Sequence, residues 1–109
     1  MAIMTMLYSG GGILLILLAI PLYFEKIGPN ELYGFRVRKT MENPEVWYPV
    51  NKYSAGWLAF TGLLTALAAI GLSPIPGLGI DVYAVACLIV FAVTLITGLV
   101  MTFRYMDSL

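Results

Sequence analysis

The chain has 109 residues, 61 % of them hydrophobic and 11 % charged, with six basic and six acidic side chains and a formal net charge of zero. Soluble domains carry about a quarter charged residues, so a mean hydropathy of +0.91 sets this chain among membrane proteins. The balanced charge gives no electrostatic case for a nucleic-acid partner, and with no His and a single Cys a His/Cys zinc site, a Ser-His-Asp triad and an internal disulfide are all excluded.

The first apolar run, residues 2–24, has no charged side chain. It lacks the basic leading segment and the small-x-small cleavage site of a signal peptide, and reads as a transmembrane helix. Ser9-Gly10-Gly11-Gly12 thins one region of it. That thinning is either a packing surface or a flexible hinge, since each Gly weakens a helix by about 1 kcal/mol relative to Ala.

Residues 25–52 hold nine of the twelve charges: Glu25, Lys26, Glu31, Arg36, Arg38, Lys39, Glu42, Glu45 and Lys52. Specific polar chemistry is concentrated here. Gly28-Pro29-Asn30 opens the segment as a turn, because Pro fixes φ and Asn bonds its own backbone two residues on. Gly34 supplies a positive φ or a close backbone approach ahead of Phe35-Arg36. Asn43-Pro44-Glu45 is a helix start, with Asn as N-cap, Pro at the first position and an acid in the first turn. From there the pattern predicts a helix through Trp47 and Asn51 into the second span, bent near Glu45 by Pro49. On it Trp47, Asn51 and Ser54 share one face, towards which Arg36 can fold back.

Residues 53–73 are again uncharged, and residues 80–103 are charged only at Asp81. About 20 helical residues cross a hydrocarbon core of about 30 Å, and all three runs reach that length. Gly56, Ala59, Gly62 and Ala66 make a small-residue stripe on the second span, and Thr94, Thr97 and Gly98 a similar surface on the third. Helices in lipid associate through such close packing, so these are expected helix–helix contacts, within one subunit or between copies in a homo-oligomer. Asp81 suits the N-terminus of the third helix and Arg104 its C-terminus. Tyr8, Tyr23, Tyr53, Trp57, Tyr83 and Tyr105 fall near span ends, as in an aromatic belt. Cys87 reads as a small buried packing residue.

The expected fold is therefore an all-α integral membrane protein. Residues 1–109 form a single membrane domain with spans at about 2–24, 53–73 and 80–103. An interfacial loop or short helix separates the first and second spans. Lys26, Arg36, Arg38, Lys39 and Lys52 lie in the first loop and Arg104 follows the third span. The positive-inside rule then predicts a multi-pass protein of the plasma membrane with its N-terminus outside, and the first loop and C-terminus cytoplasmic. No ionisable residue lies deep in a span, which argues against a proton-coupled pump or charge-selective pore.

The ordered string Asn30-x-x-x-Gly34-Phe35-Arg36, Thr40-Met41, Glu45-Val46-Trp47, Asn51-Lys52 and Gly56 resembles the SdpI family. These are small bacterial membrane proteins named for immunity to a secreted sporulation-delay toxin. The family block reads Asn-x-x-x-Gly-x-Arg-Thr-Pro-x-Thr-Leu, followed by a Trp and then an Asn or His with a basic neighbour. Val37-Arg38 stands where the family usually has Thr-Pro, and the named immunity protein is longer than three spans. The resemblance points to Asn30, Gly34, Arg36, Thr40, Trp47 and Asn51.

Two readings of those six residues follow. In one they fold the loop: Arg36 bonds carbonyls or Glu45, Asn30 and Asn51 cap turns, and Trp47 sits at the headgroups. In the other, Arg36, Asn30, Thr40 and Asn51 converge as a polar site for a peptide, a lipid headgroup or an anion, which a planar guanidinium suits. The leading functional expectation is a non-enzymatic protein of the toxin-immunity or peptide-sensing type. Its partners would be membrane lipids, a peptide toxin, a second copy of the chain and a cytoplasmic regulator on the loop. No cofactor, metal or catalytic residue is expected. The alternative is an oligomeric small-molecule or lipid transporter or channel. An enzyme built on Glu31, Glu42 and Glu45 is a third reading, although scattered loop carboxylates carry no mark of a reaction type.

Overall fold

A computed structural model of the chain describes residues 2–30 and 33–109. Glu31, one of the three loop carboxylates named above, lies outside the described residues. Four helices follow in order, α1 (Ala2–Tyr23), α2 (Arg38–Glu42), α3 (Pro44–Leu72) and α4 (Ile80–Asp107), and no strand occurs among the described residues. Three of them, α1, α3 and α4, are long and apolar enough to cross a membrane. The five-residue α2 is the short element between the first two.

The loop helix and the second span are one rod. At about 1.5 Å per residue the 29 residues of α3 reach about 43 Å, longer than a hydrocarbon core of about 30 Å. About nine of its residues exceed that length, and Glu45 and Lys52 stand in its N-terminal part. Helical structure continues through Pro49. The carbonyl this proline leaves without its N–H is that of Glu45, an exposed residue of the first turn. Asn43 occupies the N-cap position but makes no side-chain cap bond; its amide donates to the Lys39 carbonyl at 2.9 Å and so ties α2 to α3.

α3 is the central helix, and α1 and α4 each pack along it. Glycine sets the first of these contacts. A Cβ on Gly12 would run into the Gly62 carbonyl, and one on Gly62 into the Gly12 carbonyl, so the two backbones touch where neither residue has a side chain. Gly10, Gly11 and Gly56 meet nothing within 4 Å, so the small-residue runs pack at one register only. On α4 a Cβ on Gly98 would lie 2.8 Å from Trp57 Cβ, whereas Thr97 is exposed.

At the end of the bundle away from the loop, two tyrosines expected in an aromatic belt instead bind helices together. Tyr83 is fully buried, donates to the Ala69 carbonyl at 2.7 Å and lies 2.9 Å from the Thr5 hydroxyl. Tyr8 donates to the Ala84 carbonyl at 3.0 Å. Cys87 packs in the same buried cluster with Ala69 and Tyr83. α4 begins after Gly79, and Asp81 sits in its first turn, where the macrodipole favours a carboxylate.

At the loop end α1 stops in a Schellman arrangement: the Glu25 N–H meets the Leu22 carbonyl at 3.2 Å and the Lys26 N–H the Pro21 carbonyl at 2.8 Å. Glu25 takes φ +60°, the left-handed position that usually holds glycine.

Candidate functional site

After α1 the chain folds back over one face of α3, filling the space between α1 and α4. Ile27 and Tyr33 pack on Ala19, Leu22 and Ala55. Phe35 packs on Val46, Val50 and Met106 and meets the Phe103 ring edge-on at 4.9 Å. The loop thus rests on α1 through its first half and on α4 through its second.

Polar groups hold it there. Asn30 forms a local turn, donating to the Gly28 carbonyl at 2.9 Å and accepting the Tyr33 N–H at 3.0 Å. Trp47 is wholly buried and its indole N–H donates to the Ile27 carbonyl at 2.8 Å. Asn51, 1 % exposed, accepts the Phe35 N–H on Oδ1 at 2.6 Å and donates to the Trp47 carbonyl at 3.0 Å. Thr40, also buried, donates to the Phe35 carbonyl at 2.8 Å and accepts the Val37 N–H at 3.0 Å. Both backbone groups of Phe35 are therefore satisfied by side chains, as burial requires. Gly34 makes this approach possible. Its φ is +117°, and a Cβ there would fall 2.9 Å from both Asn51 Oδ1 and the Trp47 ring, so any side chain would be strained and obstructed at once.

Of the six residues singled out by the motif, Gly34, Thr40, Trp47 and Asn51 meet around Phe35, and Asn30 shapes the preceding turn. Arg36 does not join them. It is exposed and, among the described residues, makes no hydrogen bond or ion pair, to Glu45 or to any carbonyl. Nor does Trp47 sit at the headgroups; it is the post on which the loop is built. The hydroxyl and amide groups of Thr40 and Asn51 are engaged with backbone, so the convergence of these residues with Arg36 on a ligand is not the arrangement found.

The charges of α2 are solvated or structural. Arg38 bonds Glu42 at 3.1 Å with both side chains largely exposed, a contact worth about 0–1 kcal/mol. Lys39 donates to the Met106 carbonyl at 3.1 Å, closing the last turn of α4 with a cation as the dipole favours. Among the described residues no His/Cys/Asp/Glu group is placed to hold a metal.

Beneath the loop lies a cleft of about 270 Å³ that sequence patterning did not reveal. Leu18 and Leu22 of α1 wall one side and Leu95 and Leu99 of α4 the other, with Leu58 and Thr61 of α3 as floor. Tyr33, Gly34 and Phe35 close its loop end. Leucines at these positions look like any lipid-facing residues in the sequence; only the separation of α1 from α4 makes them a cleft.

Comparison with known proteins locates the resemblance. The family described as the SdpI/YfhL protein family matches residues 26–104, which includes the whole loop from Lys26, α3 and most of α4. The protein YfhL of Bacillus subtilis (strain 168), itself described as uncharacterized, is 30 % identical over 88 residues, covering 81 % of this chain and 74 % of that protein. No solved structure matches the chain.

Proposed function

The chain belongs to the SdpI/YfhL protein family, and from that membership and the cleft under its loop we propose that it is a non-enzymatic protein of the immunity type, binding an intruding peptide or lipid-like molecule between α1 and α4. Membership in an immunity-protein family and three apolar helices make it a membrane protein. That family is not known for enzymes.

The observation that carries the reading is the cleft's position. Its walls are apolar, and its inner end is the motif loop itself. At about 270 Å³ it falls just short of the range of about 300–1,000 Å³ typical of drug-sized ligands. It therefore takes side chains from a segment lying against the bundle rather than a whole helix. An occupant meets Tyr33 and Phe35, and the loop registers it.

All six cationic residues lie at the loop end of the bundle. By the positive-inside rule this end faces the cytoplasm of the plasma membrane and the N-terminus faces out. Arg36, left unused by the loop's own fold, is then the side chain offered to a cytoplasmic regulator. Survival of a toxin-sensitive host expressing the chain tests the proposal, with several membrane-active peptides as challenge. Protection above the empty vector is expected, and Leu99→Trp, which fills the cleft, should reduce it. Survival equal to the empty vector's across all peptides would remove the reading's support.

A further inference from the structure

On the face of α3 opposite the loop is a second groove, larger and differently built. It measures about 570 Å³ and is lined by Tyr23 and Glu25 from the end of α1, Tyr105 of α4, and Lys52, Gly56 and Phe60 of α3. Positions 49, 52, 53, 56, 57 and 60 recur at helical spacing, turned away from the Trp47–Asn51 face. Its upper rim is charged and its lower wall, formed by Gly56, Trp57 and Phe60, belongs to the uncharged part of α3.

Three details of the rim bear on what it can hold. Lys52 is exposed and its ammonium stands 5.2 Å from the centre of the Tyr23 ring, available to an anion. Tyr53 and Tyr105 stack at 4.6 Å with an interplanar angle of 15°, presenting aromatic surface beside it. Glu25 occupies the left-handed position ending α1, where glycine costs least, and it makes no ion pair among the described residues. The backbone there gains nothing from a glutamate. The carboxylate, however, is set on the groove's rim together with Lys52 but unpaired with it.

We propose that this groove binds a zwitterionic aminophospholipid. Its phosphate meets Lys52, its primary ammonium meets Glu25 and the neighbouring tyrosine faces, and one acyl chain runs down over Gly56 towards Phe60, where the absent side chain leaves room. One cation and one carboxylate on a single rim, both unpaired among the described residues, complement a headgroup carrying one anion and one ammonium. An anionic lipid satisfies Lys52 alone and is repelled by Glu25.

The test is native mass spectrometry of the full chain in mild detergent, titrated with phosphatidylethanolamine or phosphatidylglycerol of identical acyl chains. Phosphatidylethanolamine should bind about fivefold more tightly, as expected for one exposed ionic contact. Glu25→Gly keeps the turn and should melt at the same temperature or higher, yet bring the ratio of the two affinities towards one. Glu25→Gln is read the same way. Lys52→Gln should weaken both lipids by a similar factor. Equal binding of the two lipids by the unaltered chain, a preference that survives both Glu25 substitutions, or indifference of both lipids to Lys52→Gln would each overturn the assignment.

Discussion

Replacing Asn51 with Leu isolates the bond that secures the loop. The volume is nearly kept, so no large cavity forms, but the Phe35 N–H loses the acceptor that stands 2.6 Å away. The Phe35 carbonyl keeps Thr40 at 2.8 Å, and the Trp47 carbonyl remains in the helical ladder. One buried donor is therefore orphaned, which costs about 1–3 kcal/mol. If that cost falls on local opening of the loop, amide exchange of residues 35–37 accelerates about 5- to 150-fold. Hydrogen–deuterium exchange in lipid nanodiscs reads this directly, with amides of residues 13–20 in α1 as an internal control that should not change. Exchange of the loop within twofold of the unaltered protein would refute the reasoning, because the loop would then be held by packing alone. Acceleration spread equally over α1 would also refute it, since that is global destabilisation.

Gly34→Ala should be at least as damaging, because it adds a strained φ of +117° to a contact 2.9 Å from Trp47 and Asn51; a lower melting temperature in detergent, by the equivalent of about 1–3 kcal/mol, is the expected readout. Gly12→Val should separate α1 from α3 by its clash with the Gly62 carbonyl, whereas Gly10→Val, which meets nothing within 4 Å, should not; unfolding in a denaturing detergent series distinguishes them. Lys39→Met removes the cation bonded to the Met106 carbonyl and should cost about 0.3–1 kcal/mol, seen as faster exchange confined to the last turn of α4. Arg36→Gln should leave melting within about 0.5 kcal/mol of the unaltered chain while lowering host survival under peptide challenge, and a clear loss of thermal stability would instead make Arg36 a structural residue.

The helical rods were legible because an apolar run of adequate length has one way to cross lipid: every backbone group must be satisfied within the segment. The start of α3 at Pro44 followed from capping preferences, although Asn43 itself bonds backward to Lys39 rather than into the helix. Less legible was the division of labour among the motif residues. A polar side chain in a loop does not declare in sequence whether it faces a ligand or its own backbone. Asn51 turns inward because Phe35 is buried against Val46, Val50 and Met106, a contact spanning distant segments that no local pattern encodes. Tyr83 is hard to place from sequence for a similar reason. At a span end it matches a belt residue, and only the approach of Ala69 and Thr5 turns its hydroxyl inward. Neither groove could be read, because both depend on which faces of α3 are left uncovered by α1 and α4.

Three helices with one in the middle leave a specific structural problem at the loop end. α1 and α4 each pack on α3, so little besides the intervening chain sets their separation there. That chain is the motif segment. It touches α1 through Ile27 and Tyr33, α4 through Phe35 and Phe103, and α3 through the bonds of Trp47 and Asn51. Under the proposed function, an occupant between Leu22 and Leu99 that outgrows the cleft would have to displace Tyr33 or Phe35 at its loop end. Displacing Phe35 breaks the Asn51 and Thr40 bonds together, because both end on its backbone. Because one residue takes both bonds, the response that the proposed function requires of the loop would be closer to a switch than to a gradual adjustment. Arg36, the next residue along, would be carried with it.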